Sequence, residues 1–277
     1  MYRIGKIINN NFICSVNEQG EEIILRGLGI GFQKKVNDIL DDDKVEKIYR
    51  MHSKTALSKM QSLVDDIPLE HVQVCTEIID DIKKTFDKEL NDNIYITLTD
   101  HLSFAIERQR SDMQYKNALL LEIKRFYQAE YQLGLHALEV IKKRLGVTLL
   151  EDEAGFIALH IVNAELDTDM SEMMKITELI QDILQITKDY YQVKLDEDSL
   201  DYDRFVTHLK YFGQRMFHNK SIKDDDFKLQ EMIKTNYKKD YQCAEIISNY
   251  VSTKYNRVLT GEEMMFLTIH LKRIAMN

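Results

Sequence analysis

The chain has 277 residues, 44% of them apolar and 30% charged, with a formal charge of -9. Such a length predicts two or three domains, and no stretch approaches the roughly 20 consecutive apolar residues of a membrane-spanning helix, so a soluble protein without membrane insertion is expected. The three cysteines, Cys14, Cys75 and Cys243, are odd in number and far apart, which excludes a disulfide framework or a cysteine zinc site and predicts buried small apolar residues. The opening Met1-Tyr2-Arg3-Ile4-Gly5-Lys6 lacks the apolar run of a secretory signal, and a cytoplasmic location is expected.

The negative charge is uneven. Residues 1 to 40 carry five basic and four acidic side chains, a net +1, and the remainder carries -10. The N-terminal segment is thus free to approach a polyanion. Short β-branched and aromatic runs there predict about four antiparallel strands, Arg3 to Ile8, Phe12 to Val16, Glu21 to Leu25 and Ile30 to Lys35. Asn9-Asn10-Asn11, Asn17-Glu18-Gln19-Gly20 and Gly27-Leu28-Gly29 are the predicted turns. So small a sheet buries little apolar surface, which predicts pairing with a second copy.

Asp41-Asp42-Asp43 reads as a solvated loop or helix start, and the polar stretch from His52 to Lys59 as a linker. Beyond the sole proline, Pro68, helical periodicity takes over: Leu119, Leu120, Ile123, Phe126 and Tyr127 form one face, and Phe156, Ile157, His160, Ile161 and Ala164 another. The helical part repeats itself. His101 and Arg108 align with His208 and Arg215 at an offset of 107 (208 minus 101). Tyr131, Leu149, Glu153, Phe156 and His160 align with Tyr241, Leu259, Glu263, Phe266 and His270 at 110 (270 minus 160), so a three-residue insertion separates the registers. The predicted fold is mainly α with a small N-terminal β domain, an antiparallel sheet over 1–56 that includes the start of a linker, then two homologous helical bundle modules over 65–170 and 171–277.

Four histidines occupy matched positions, His101 with His208 and His160 with His270, while His52, His71, His136 and His218 have no counterpart. Helical i, i+7 spacing puts Arg108 on the face of His101 and Arg215 on that of His208. Neutral imidazole is nucleophilic near pH 7, and a guanidinium holds phosphate through paired, charge-assisted hydrogen bonds, so the pattern points to reversible histidine phosphorylation. Only the first module has an adjacent carboxylate, Asp100, where the second has Thr207. A metal reading is disfavoured, because Glu153 and His160 lie about 10 Å apart along one helix. No glycine-rich phosphate loop or nucleophile elbow appears, so no cofactor and no enzymatic turnover are expected.

Several segments together resemble the BglG/LicT-type transcriptional antiterminators. They are Ile7-Ile8-Asn9-Asn10-Asn11, Gly29 to Lys35, Leu98-Thr99-Asp100-His101, Glu151 to Glu165, Phe205 to Lys210 and Leu267-Thr268-Ile269-His270. The resemblance spans the whole chain and implies an RNA-binding domain followed by two phosphotransferase-system (PTS) regulation domains. It implies a homodimer that binds a structured mRNA hairpin and keeps a terminator from forming, so that a sugar-utilisation operon is transcribed. Phosphate would reach the first module from a sugar-specific PTS permease and the second from the phosphocarrier HPr. By position, His101, His160, His208 and His270 would be the phosphorylation sites, with Arg108 and Arg215 supporting the phosphate.

For RNA contact the resemblance points to Lys6, Asn9, Asn11, Gly27, Gly29, Phe32 and Gln33, with Arg26 and Lys34 as phosphate neighbours. Relatives often carry a basic residue between the two glycines, where this chain has Leu28, and Arg26 is the candidate substitute. The alternatives are a histidine phosphocarrier and a PTS-regulated DNA-binding activator; the latter needs a helix-turn-helix where residues 1 to 40 read as strands.

Overall fold

The computed structural model describes residues 1–17, 19–50, 53–85, 88–113, 115–218 and 227–275. The chain divides into two compact units, Met1–Leu120 with Tyr127–Asp167, and Leu121–Phe126 with Thr168–Asn277. In the first unit β1 (Tyr2–Ile7), β2 (Phe12–Val16) and β3 (Glu22–Arg26) form an antiparallel meander. Two short strands, β4 (Ile39–Leu40) and β5 (Lys47–Arg50), complete a sheet of order β4-β1-β2-β3-β5. The Asn9 side-chain oxygen accepts the amides of Asn11 and Phe12 at 2.9 and 3.0 Å, which closes the first turn.

The segment Ile30 to Lys35, predicted as the fourth strand, is a series of turns instead. Glycines at 27, 29 and 31 loosen it, and positive φ at Gly29 (65°) and Gln33 (55°) is incompatible with an extended run. The Asp41-Asp42-Asp43 run leads into a short 3₁₀ turn, Asp42–Lys44, as the acidic loop predicted.

The predicted linker is a second correction. His52 lies outside the described residues, and from Lys54 the chain is helical, as α1 (Lys54–Asp66). Ser53 caps it by accepting the Ala56 amide at 3.1 Å. Inside a polar sequence, Leu57, Met60 and Val64 recur every three to four residues and are buried. The helix stops at Ile67 because the residue before Pro68 is driven to extended backbone.

The two faces of the sheet serve different cores. Ile4, Ile13, Ile23, Leu25, Ile30 and Leu40 form a small core of their own. Phe12, Cys14, Ile24 and Tyr49 pack into the same cluster as Ala56, Leu57, Met60 and Val64 of α1 and the buried residues of α2 (Leu69–Thr85) and α3 (Ile94–Arg110). Polar bonds join the same parts: Tyr49 Oη lies 2.7 Å from Thr76 Oγ1, and Lys47 Nζ and Tyr95 Oη each donate to Asp80 at 2.5 Å. The short α4 (Leu120–Phe126) precedes α5 (Gln128–Leu145) and α6 (Glu151–Leu166).

The second unit contains α7 (Met170–Tyr191), α8 (Leu200–Phe217), α9 (Phe227–Asn236), α10 (Lys238–Tyr255) and α11 (Gly261–Ile274). The repeat read in the sequence pairs α3 with α8, α5 with α10 and α6 with α11. Both α5 and α10 end on a left-handed residue, Gly146 (φ 67°) and Asn256 (φ 53°), at the 110-residue offset. The extra three residues fall between α8 and α10. All three cysteines are free and buried. Among the described residues no helix is long and apolar enough to cross a membrane.

Met60 is fully buried between the sheet and the first helical module. Met60→Ala is expected to cost about 2–4 kcal/mol. In denaturant titrations the loss should move a sheet probe and a helix probe together; a shift in only one would mean that the two do not share a core.

Candidate functional site

The asparagine turn and the glycine loop form one surface. The Gly27 amide donates to the Asn11 carbonyl at 3.1 Å, the Gly31 amide to the Asn10 carbonyl at 2.9 Å, and the Gly29 amide to Asn11 Oδ1 at 3.0 Å. Gly27 and Gly31 are close-approach positions: a Cβ would lie 2.0 Å from the Lys44 carbonyl oxygen at the first and 2.4 Å from that of Asn9 at the second. Gly29 is exposed and faces open space. Phe32 is 57% exposed and Leu28 is 78% exposed, which removes Phe32 from the sheet core. Gln33 is exposed beside it, and Lys34 is half-buried.

Besides Asn11, whose Oδ1 holds the Gly29 amide, three sequence-predicted residues are engaged by the protein itself. Asn9 has its oxygen in the turn and its Nδ2 on the Val64 carbonyl at 2.8 Å, so its amide is occupied at both ends rather than open to a base edge. Lys6 is exposed on β1 and donates to Gln61 Oε1 of α1 at 3.2 Å. Arg26 is turned toward Tyr49 Oη at 3.4 Å and Glu46 at 3.6 Å, with only 12% of its side chain exposed. It therefore braces β3 against β5, largely withdrawn from solvent beside the loop where Leu28 interrupts the basic pattern.

In the first module α3 and α6 bring His101 and His160 together, with ring centroids 4.9 Å apart and Phe156 5.5 Å from His101. His101 is half-buried, whereas His160 is only 7% exposed and its Nδ1 has no hydrogen-bond partner. Burial, and then the neighbouring His101, hold the His160 imidazole well below the usual histidine range. Arg108 does share the site, through a residue that intrahelical spacing missed. Glu153 Oε2 lies 2.9 Å from His101 Nε2, and its Oε1 accepts from Arg108 Nη2 at 2.7 Å. The Arg108 guanidinium also sits over Phe104 and Tyr115, at 4.9 and 4.6 Å. The matched pair Glu153 and Glu263 was the available sequence signal.

The second module repeats the arrangement on α8 and α11. His208 and His270 stack at 4.7 Å, with Phe266 5.8 Å from His208 and Phe205 6.0 Å from His270. Burial first, then His270 and Arg215, lower the His208 imidazole to about 4, and burial also lowers His270. Arg215 is half-buried with its Nε unbonded. His71, without counterpart in the repeat, is a core residue whose Nδ1 lies 3.0 Å from Ser103 Oγ. Among the described residues no group of three or more His, Cys, Asp or Glu side chains is placed to hold a metal ion.

The sheet with its two loops, followed by paired histidines in each of two like modules, coincides with two family models. The CAT RNA binding domain matches residues 2–58, and the PRD domain matches 76–164 and again 181–274. The chain belongs to the BglG/LicT-type antiterminators. It is 45% identical to the transcription antiterminator LicT of Bacillus subtilis (strain 168), over 99% of both chains. With the beta-glucoside operon antiterminator of Dickeya chrysanthemi it shares 43% identity over 98% of this chain and 96% of that one. A crystal structure of GlcT CAT-PRDI covers 59% of this antiterminator and 98% of its own chain, at 34% identity and a TM-score of 0.53. The Bacillus and Dickeya relatives are named for antitermination, not for an enzymatic activity.

The buried imidazoles predict that this antiterminator loses stability in acid. A histidine whose folded value lies below its unfolded 6.5 stabilises the fold fully above that pH, and the stability is lost as pH falls toward the folded value. For His208 the window runs from 6.5 down to about 4, worth roughly 3 kcal/mol. Thermal melts of the His208→Gln variant should show a shallower loss of stability across that window than the unaltered chain; equal slopes would mean that His208 is not held neutral by the fold.

Proposed function

We propose that this chain is an RNA-binding transcriptional antiterminator of a sugar-utilisation operon, controlled by phosphorylation of histidines in its two PRD domains. In this reading it acts in the cytoplasm as a homodimer. Each copy presents its asparagine turn and glycine loop to one mRNA hairpin, and the bound hairpin excludes the terminator. The single observation that carries the regulatory half is the repeated histidine pair, 4.9 Å apart in one module and 4.7 Å in the other. A core histidine kept for packing alone has no reason to recur as a pair beside an arginine in both copies.

On the RNA side, Phe32 offers an exposed ring for an unpaired base, and the exposed Gly29 lets backbone come close to a ribose-phosphate chain. Dimer formation is supported by apolar side chains left uncovered along the β4 edge of the sheet, Val36 and Ile39. Two copies on one hairpin gain affinity by linkage, so loosening the dimer would weaken binding without altering an RNA contact.

On the phosphate side the donors in this reading are HPr and a sugar-specific PTS permease, both carrying phosphate on a reactive side chain. An imidazole nitrogen attacks phosphorus, the donor's bond to phosphorus breaks, and the imidazole N–H proton leaves with the donor group. About two negative charges then arrive between paired helices, where arginine attracts them and Asp100 repels them. In the first module His101 is the more exposed to a donor, with His160 only 7% exposed, whereas His208 and His270 are both half-buried.

Phe32→Ala should lower hairpin affinity by about tenfold or more, since a stacked base contributes roughly 1–3 kcal/mol, with no change in melting temperature. Leu28→Arg should tighten binding and steepen its salt dependence, because it adds a phosphate contact at an exposed loop tip. Gel-shift titrations read both, and unchanged affinity in Phe32→Ala would remove this loop from the RNA surface. RNA binding measured before and after phosphorylation should differ, with the difference reduced in His101→Ala or His208→Ala; identical binding throughout would end the switch.

A further inference from the structure

Glu153 and Glu263 occupy the same place in the repeat, the third residue of α6 and of α11, yet they are held differently. In α11 the N-cap residue is Thr260. Its hydroxyl accepts the Glu263 amide at 3.2 Å, and Glu263 Oε2 accepts the Thr260 amide at 2.9 Å. This reciprocal capping box ties the carboxylate to its own helix end. In α6 the equivalent N-cap is Leu150, which has no side-chain acceptor; the Glu153 amide donates to its backbone carbonyl at 3.0 Å and no side-chain cap bond forms. The Glu153 carboxylate crosses instead to α3 and joins His101 to Arg108, at 2.9 and 2.7 Å.

We propose that the N-cap residue, Leu150 or Thr260, decides whether the carboxylate three positions on latches its module's first histidine and arginine, so that Glu153 holds the first module closed to phosphate while the second stands open. This rests on the reading that His101 and His208 accept phosphate. A carboxylate only accepts hydrogen bonds, so in the resting state His101 Nε2 carries the proton and donates it to Glu153. A phosphoryl group arriving at His101 needs the same guanidinium that Glu153 occupies, and two anions on one largely buried cation repel. In the second module no such bond reaches His208 among the described residues. Glu263 is tied to its cap; its Oε1 lies 3.7 Å from Arg257, and its charge is felt by Arg215 without the histidine-to-arginine bridge that Glu153 makes. Glu153 is on this account a positioning residue that acts through His101 and Arg108.

The test uses the full chain and potassium phosphoramidate as a small phosphoryl donor. The imidazole attacks phosphorus, the donor P–N bond breaks, and ammonia leaves with the imidazole proton. Phosphate at each histidine is followed by mass spectrometry under alkaline conditions. Leu150→Thr builds the missing cap, and both it and Glu153→Gln should raise the initial rate at His101 by about tenfold. Thr260→Leu should slow His208 by a similar factor and leave His101 unchanged. An unaltered or slower His101 in Leu150→Thr overturns the proposal, even if Glu153→Gln is faster, because the cap would then not control the carboxylate.

Imidazole ¹⁵N spectra of the unphosphorylated protein give a second readout, which a purely structural cap would not move. Leu150→Thr should erase the signature of a protonated Nε2 bonded to carboxylate at His101. If His101 takes phosphate in no variant, the phosphorylation reading fails while the latch is still judged by these spectra; unchanged spectra overturn the latch itself.

Discussion

Burial of one face of a small β-sheet against a helix is the contact on which the rest of the first unit depends. A sheet of five short strands cannot bury enough apolar surface to stand comfortably alone. Here Phe12, Cys14, Ile24 and Tyr49 are covered by α1, and through α1 the hydrophobic cluster runs on into the helices that carry His101. The same contact positions side chains with a stake in RNA binding. Lys6 and Asn9 both reach α1, through Gln61 and the Val64 carbonyl. The surface proposed for RNA and the helical module are thus parts of one packed body, and α1 is a structural element of both.

Duplication of the helical module supplies an internal control for the chemistry. The same pair of rings is built twice, from the same helices in the same order, so differences between the copies come from the residues around them. The first pair is tied to a carboxylate and an arginine; in the second no carboxylate bond reaches His208 among the described residues, and burial lowers both imidazoles. Neutral imidazole is the nucleophilic form. The two copies therefore present different resting chemistry to a phosphoryl donor, although their backbones follow one plan.

Much of this was legible in the residues, and the parts that were not share a physical cause. Strands β1 to β3 follow from alternating β-branched runs and asparagine or glycine turns, and the paired histidines follow from the repeat. The region from Ile30 to Lys35 misled because its composition favours a strand while its glycines close turns around the neighbouring loop, a contact remote in sequence. The stretch after residue 52 misled because its polarity hid a three-residue apolar stripe that matters only once a sheet lies against it. Glu153 was visible as a matched residue, but its partners stand on another helix and no intrahelical spacing reveals them. Arg26 likewise lies beside its open loop in sequence, yet it turns to Tyr49 and Glu46.

The first unit also contains a contiguous route from the histidine pair to the RNA loops. His101 and Tyr95 stand on α3, and Tyr95 and Lys47 share the Asp80 carboxylate at 2.5 Å each. Lys47 of β5 pairs in register with Arg26 of β3, and Arg26 leads directly into the Gly27 loop. Charge placed at His101 acts on the same 17-residue helix that carries Tyr95, so a tilt of α3 would be felt at Asp80 before any loop need move. What contiguity alone does not provide is a second arrangement for the route to adopt. The Glu153 latch supplies a candidate at the upstream end, because Arg108 can hold either the carboxylate or a phosphate in the same place. A switch of this kind requires only that the two ways of satisfying one guanidinium leave α3 and α6 differently spaced.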